Sequence, residues 1–198
     1  MNAAPVVQAA AEALPFSDNA FAAALAVLTV HHWSDRQRGL AELRRVSRDR
    51  IVLLTFDAEL APPFWLVDRY FPEIAVLDRK TMSPLAELRS LLGPLEILPV
   101  PIPYDCTDGF MGAYWRRPSA YLDPAIRSAI SAFALIPDVG AGIERLHTEL
   151  ENGTWDRLYG YLMTANELDI GYRLVIANAI AACSCDVSDV SPTVIEPI

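Results

Sequence analysis

The apolar run Phe21–Val30 ends in "LTVHHWSD", so two adjacent imidazoles, His31 and His32, stand where a buried strand should stop. A second apolar run, Ile51–Phe56, ends in Asp57. A carboxylate beside a histidine orients the ring and favours its protonated form, which is the arrangement of a general base. The pair His32 with Asp57 is the candidate, with His31 beside it. The alternative is a His32 that only hydrogen-bonds backbone at a strand end. Successive strand residues point to opposite faces, so His31 and His32 are not expected to grip one metal ion together. A third ligand is also missing, because the only other histidine, His147, falls on a late helix. Cys106, Cys183 and Cys185 form no CxxC pair for zinc and no disulfide framework, which reads as reduced thiols and no metal.

The elements that would hold these groups are legible in outline. Phe21–Val30 is apolar without alternation, as in a parallel strand buried on both faces. Ser34 with Gln37 has capping-box spacing, and Leu40, Leu43 and Val46 repeat at helical spacing behind it. Ile51–Phe56 is the next strand, so a βαβ unit is predicted, with both carboxyl ends facing one crevice. Pro62-Pro63 opens a helix carrying Phe64, Trp65, Val67 and Phe71, and Pro84 and Gly93 bracket another. Leu95–Ile102 reads as a strand that Pro99 and Pro101 confine to a sheet edge. Helices are expected over 124–135, 141–151 and 155–164, a last strand over 171–177, and a loose tail over 183–198.

Composition narrows the function classes. The chain has 198 residues, 53% hydrophobic and 21% charged, which suits one globular domain with ample core. A formal charge of −9 argues against general nucleic-acid binding. The arginines of 34–50 outnumber the acids six to three and read as a solvated helix face. Ala20–Val30 is far shorter than the roughly 20 residues of a membrane span, and no secretory leader is evident. A cytoplasmic protein without membrane partners is therefore expected. "DVGAGIERL" has Gly140 and Gly142 but Arg145 at the third glycine position, and it follows a helical stretch, so it reads as a helix–helix turn. No GxSxG elbow and no phosphate loop is present.

"AEALPFSDNAFAAALAVLTVHHWSDRQRGLAELRRVSRDRIVLLTFD", within residues 9–57, resembles class I S-adenosylmethionine-dependent methyltransferases of the small-molecule type, the methyltransferase type 11 pattern. In that pattern an "AE.LPF.D..FD" stretch leads into the fourth strand, the strand ends near "HHW.D", and "E..RV" closes the following helix. "DCTDGF..AYWRRP.AYLDP" looks like the cap of one subfamily. The resemblance implies an α/β, Rossmann-like sheet lacking its first strands, with a helical cap inserted before the last strand. It divides the chain into a core (1–103), a cap (104–168), a final strand (169–182) and a tail. It implies S-adenosylmethionine as cofactor and a small-molecule acceptor. Ala11 matches the backbone position facing the adenine, Ala10 replaces the common acid, and Glu12 is either its substitute or solvent-facing. Leu28 and Thr29 match the strand end beside the methionine portion, and Ala22 replaces an aspartate. Tyr104, Asp105, Phe110, Tyr114 and Trp115 would make an acceptor wall, and core packing explains the aromatics among them equally well.

No GxGxG turn precedes Ala9, so an N-terminally truncated methyltransferase, inactive alone, is expected, with self-association through an exposed sheet edge. The competing readings are a non-catalytic remnant or interaction subunit and, with less support, a hydrolase lacking a nucleophile.

Overall fold

The computed structural model describes residues 5–179, so the tail and its two cysteines lie outside the described residues. Strand β1 (Phe21–Val27) leads through a 3-10 turn to helix α1 (Arg36–Val46) and directly into β2 (Ser47–Phe56). Three helices follow, α2 (Trp65–Tyr70), α3 (Pro72–Thr81) and α4 (Leu85–Leu92), and then β3 (Leu95–Pro99). The two-residue strands β4 (Ile102–Pro103) and β5 (Glu167–Leu168) pair at the base of a helical region. That region holds α5 (Pro124–Ser128), α6 (Ser131–Leu135), α7 (Gly140–Glu151) and α8 (Thr154–Tyr159), and β6 (Tyr172–Asn178) follows it. The main sheet has the order β1-β2-β6-β3, with β1 and β2 parallel and β6 antiparallel to both its neighbours.

α1 starts at Asp35, not at Ser34, because the Asp35 carboxylate accepts the Arg38 N–H at 2.9 Å. The Ser34 hydroxyl instead donates to Glu12. Leu40, Leu43 and Val46 are buried as their spacing predicts, each contributing roughly 1.5–3 kcal/mol. Arg45, in the last turn of α1, donates to the Leu14 and Phe16 carbonyls and to Glu42 and Asp18. Glu42 in turn accepts the Leu14 N–H, and the Arg45 guanidinium holds its carboxyl at about 2. This network ties the segment before β1 onto α1.

Two hydrophobic clusters form. One lies between the sheet and helices α1 and α4, centred on Leu40, Ile51, Leu53, Leu88 and Val175. The other is the cap cluster, and it includes Phe64–Ile74 as well as residues beyond 104. Gly142 opens no nucleotide loop; it sits where a Cβ would collide with Phe71 and the Tyr70 carbonyl, so α7 approaches α2 closely. Near that contact Glu149 accepts from Arg69, Arg145 and Tyr70, and the Arg69 guanidinium holds it at about 2.

Two expectations are corrected. The strand stops at Val27, so His31 and His32 are not on it. It is also not buried on both faces: Leu25 is 65% exposed, Val27 51% and Phe21 42%. The three project from one face of the strand, whereas Ala24 and Ala26 on the other face pack into the core, and among the described residues nothing pairs with the outer edge of β1. The prolines do place β3 at the other edge.

Candidate functional site

A cavity of about 410 Å³ opens where the carboxyl ends of β1 and β2 meet the cap. Its shape begins with Leu28, which lies at φ +46°, a left-handed conformation that costs a leucine about 1–2 kcal/mol. The Leu28 N–H still donates to the Leu54 carbonyl at 2.9 Å, so the chain leaves the sheet abruptly there. Residues Val30–His32 then form a 3-10 turn, closed by the His32 N–H on the Thr29 carbonyl. In a turn, adjacent side chains converge instead of alternating. Both imidazoles therefore line the cavity, their centroids 3.9 Å apart and their planes at 47°. His31 is half-buried and His32 exposed. Burial, with lesser contributions from His32 and Arg36, pushes the His31 imidazole below its usual 6.5, so it is neutral at pH 7.

The proposed partner acid is elsewhere. Asp57 is buried, and its Oδ1 accepts the Glu59 and Leu60 N–H groups at 3.0 and 3.1 Å. Its Oδ2 has no partner, and no hydrogen bond or ion pair joins it to His32. Alternation along β2 explains this: Phe56 lines the cavity and Asp57 does not. The His32–Asp57 dyad is thus not formed.

Of the expected acceptor wall, Phe110 lines the cavity, packed edge-on against Tyr172 at 5.3 Å. Tyr104 lies under the Arg116 guanidinium at 4.6 Å, Asp105 is exposed, and Tyr114 stacks with Arg117 at 4.8 Å; none of the three lines the cavity. Trp115 is fully buried in the cap core, donating from Nε1 to the Ile102 carbonyl at 2.9 Å. On the other side, Ala10 is exposed and pairs by its carbonyl with the Ala13 N–H. Ala11 is partly buried beside it. Glu12 accepts the Ser34 hydroxyl at 2.8 Å and the Asp35 N–H at 3.1 Å, so it joins this segment to the start of α1. Thr29 accepts from Trp33 Nε1 at 3.3 Å.

Sequence reasoning missed several lining residues. Ala75, Asp78, Arg79 and Met82 share one face of α3 and its end, a spacing of three and four that the sequence displays. Gly112 stands where a Cβ would strike Ile170 and crowd Phe110, so it keeps that wall thin. Among the described residues no three His, Cys, Asp or Glu side chains gather as a metal-ligand set.

A sequence family described as a methyltransferase domain matches residues 1–54. No curated protein matches. A solved structure from Anabaena variabilis ATCC 29413, assigned as a methyltransferase of an antibiotic biosynthesis pathway, is 39% identical with a TM-score of 0.77. That alignment covers 84% of this chain and 70% of the other. The chain belongs to the S-adenosylmethionine-dependent methyltransferase family. The YcgJ protein of Bacillus subtilis is 18% identical over 87% of this methyltransferase-family chain and 69% of its own, with a TM-score of 0.44.

The described residues fit one part of the family's cofactor. The site's carboxylates, Asp68 and Asp78, outnumber its one cation, Arg79, which suits a sulfonium near Leu28. Glu12 Oε1 is engaged by the Ser34 hydroxyl and the Asp35 N–H. Among the described residues no helix is long and apolar enough to cross a membrane.

Proposed function

We propose that the cavity seats a small-molecule acceptor for methyl transfer and that His31 takes the acceptor's proton. The observation that carries this is the half-buried His31 imidazole lining a largely apolar cavity at the carboxyl end of the sheet. S-adenosylmethionine, when bound, supplies an already activated methyl group. The protein's part is to position the acceptor, exclude water and remove a proton. Leu28, Phe56, Tyr172, Phe110 and Met111 line the cavity and exclude water. His31 then accepts the proton of an attacking hydroxyl or amine, and His32 packs beside it at a tilt of 47° and limits its movement.

The test is incubation at high S-adenosylmethionine with apolar alcohols, phenols and amines. A gain of one methyl group by mass spectrometry is the expected result. No product with any acceptor, together with no cofactor binding by calorimetry, would remove the catalytic reading.

A second reading is favoured by β1, whose outer edge is unpaired among the described residues and which exposes Leu25 and Val27 on one face. On this reading the chain pairs edge to edge with a second copy and acts as an interaction subunit. Sedimentation velocity should show a dimer that Leu25→Lys converts to monomer. A monomer at all concentrations for the unmodified chain contradicts it.

A further inference from the structure

We propose that Asp78 makes the cavity selective for acceptors bearing an amine or other cationic donor group, and that it is a specificity-determining residue. The proposal rests on the cavity being the acceptor site. Much of its wall is apolar, from Leu28, Phe56, Phe64, Val67 and Phe110, and its charged members besides Asp78 are Asp68 and Arg79. Asp78 projects from α3 into this lining, half-buried, and among the described residues its carboxyl accepts no hydrogen bond and has no cation within the 4.0 Å of an ion pair. A carboxylate in such surroundings loses hydration that nothing in the protein replaces. A ligand ammonium would replace it, whereas a ligand carboxylate would meet like charge.

The titratable and charged groups facing the cavity are few. Arg79, the next residue on α3, is exposed and acts on Asp78 only at a distance; Asp68 on α2 adds negative charge. His31 and His32 come from the 3-10 turn, and Tyr172 from β6. Burial pushes the Asp78 carboxyl up to about 6, and Arg79 opposes this weakly. Burial also raises Asp68, against the Phe64 N–H. The acid form of Asp78 therefore begins to accumulate as pH falls through about 6, and the charge that would hold an ammonium is then lost.

The experiment uses the 198-residue protein without cofactor and three probes of one shape: 2-phenylethylamine, 2-phenylethanol and 3-phenylpropionate. Binding is followed by calorimetry or saturation-transfer NMR between pH 5 and 8. The amine should bind at least about tenfold more tightly than the carboxylate at pH 8, as expected for a charge-assisted hydrogen bond. Its advantage should disappear below about pH 6. Asp78→Asn should reduce amine affinity to that of the alcohol and leave the alcohol unchanged; retained alcohol binding shows that the variant is folded. Equal binding of amine and carboxylate by the unmodified protein overturns the proposal, and this comparison needs no variant. So does a failure of the amine to bind. It is also overturned if Asp78→Asn weakens only S-adenosylmethionine relative to S-adenosylhomocysteine, which would assign the carboxyl to the sulfonium. Because no methyl transfer is measured, an inactive protein that still selects the amine would separate this inference from the catalytic reading.

Discussion

A His31→Ala variant should lose about 100- to 10 000-fold of the methyl-transfer rate, the contribution expected of a positioned general base. The loss should fall on kcat, since an acceptor held by the apolar walls still binds. His31 lies below the usual histidine value because it is half-buried beside His32 and Arg36. The midpoint of the acid limb of the unmodified enzyme's rate should therefore lie below the usual histidine value, where the imidazole becomes protonated. This acid limb should vanish in the alanine variant. His32→Ala should cost less than about tenfold, because His32 is exposed. Removing His32 also removes a charge that opposes protonation of His31, so the acid limb should move to higher pH. An NMR titration of the imidazoles checks the assignment without turnover. A His31 ring that titrates above 6.5, or an alanine variant at full rate, is incompatible with the role given to it.

Trp115→Ala should produce the largest loss of stability in the cap. The indole is 0% exposed, donates to the Ile102 carbonyl, and packs next to Trp65, whose own Nε1 donates to the Trp115 carbonyl at 2.9 Å. Trp65 in turn meets Trp155 and Tyr121 edge-on at 5.3 and 5.7 Å. Emptying this site should cost about 3–5 kcal/mol for the cavity and about 1 kcal/mol more for the orphaned Ile102 carbonyl. For a chain of this size that is a fall in Tm of roughly 8–24 °C. Trp115→Phe keeps most of the volume and should recover over half of the loss. A melting curve for the alanine variant within about 2 °C of the parent would show that the cap core is organised differently.

Parts of this architecture were legible in local sequence. The runs Phe21–Val30 and Ile51–Phe56 predict neighbouring parallel strands, and the structure pairs them in parallel. Leu40, Leu43 and Val46 predict the buried face of α1, and Pro99 predicts an edge strand. These signals are strong because each depends on a period of two or 3.6 residues, or on a missing backbone donor, within one segment. The side-chain directions at the site were not legible. Strand alternation separates His31 from His32 and offers His32 to Asp57. The left-handed turn at Leu28 reverses both outcomes. Similarly, Trp115 and Tyr114 have the composition of a ligand wall, yet burial assigns the first to the cap core, and Arg117 covers the second.

The sequence by itself determined the parallel βαβ unit, the placement of an imidazole pair at its carboxyl end and the family resemblance, because these reside in contiguous residues. Only the tertiary structure decided which groups share the cavity. Its lining combines residues from Leu28 to Tyr172, and their meeting depends on how the cap packs against the sheet. That packing is set by non-directional apolar burial between distant segments, which leaves no periodic trace in any one of them.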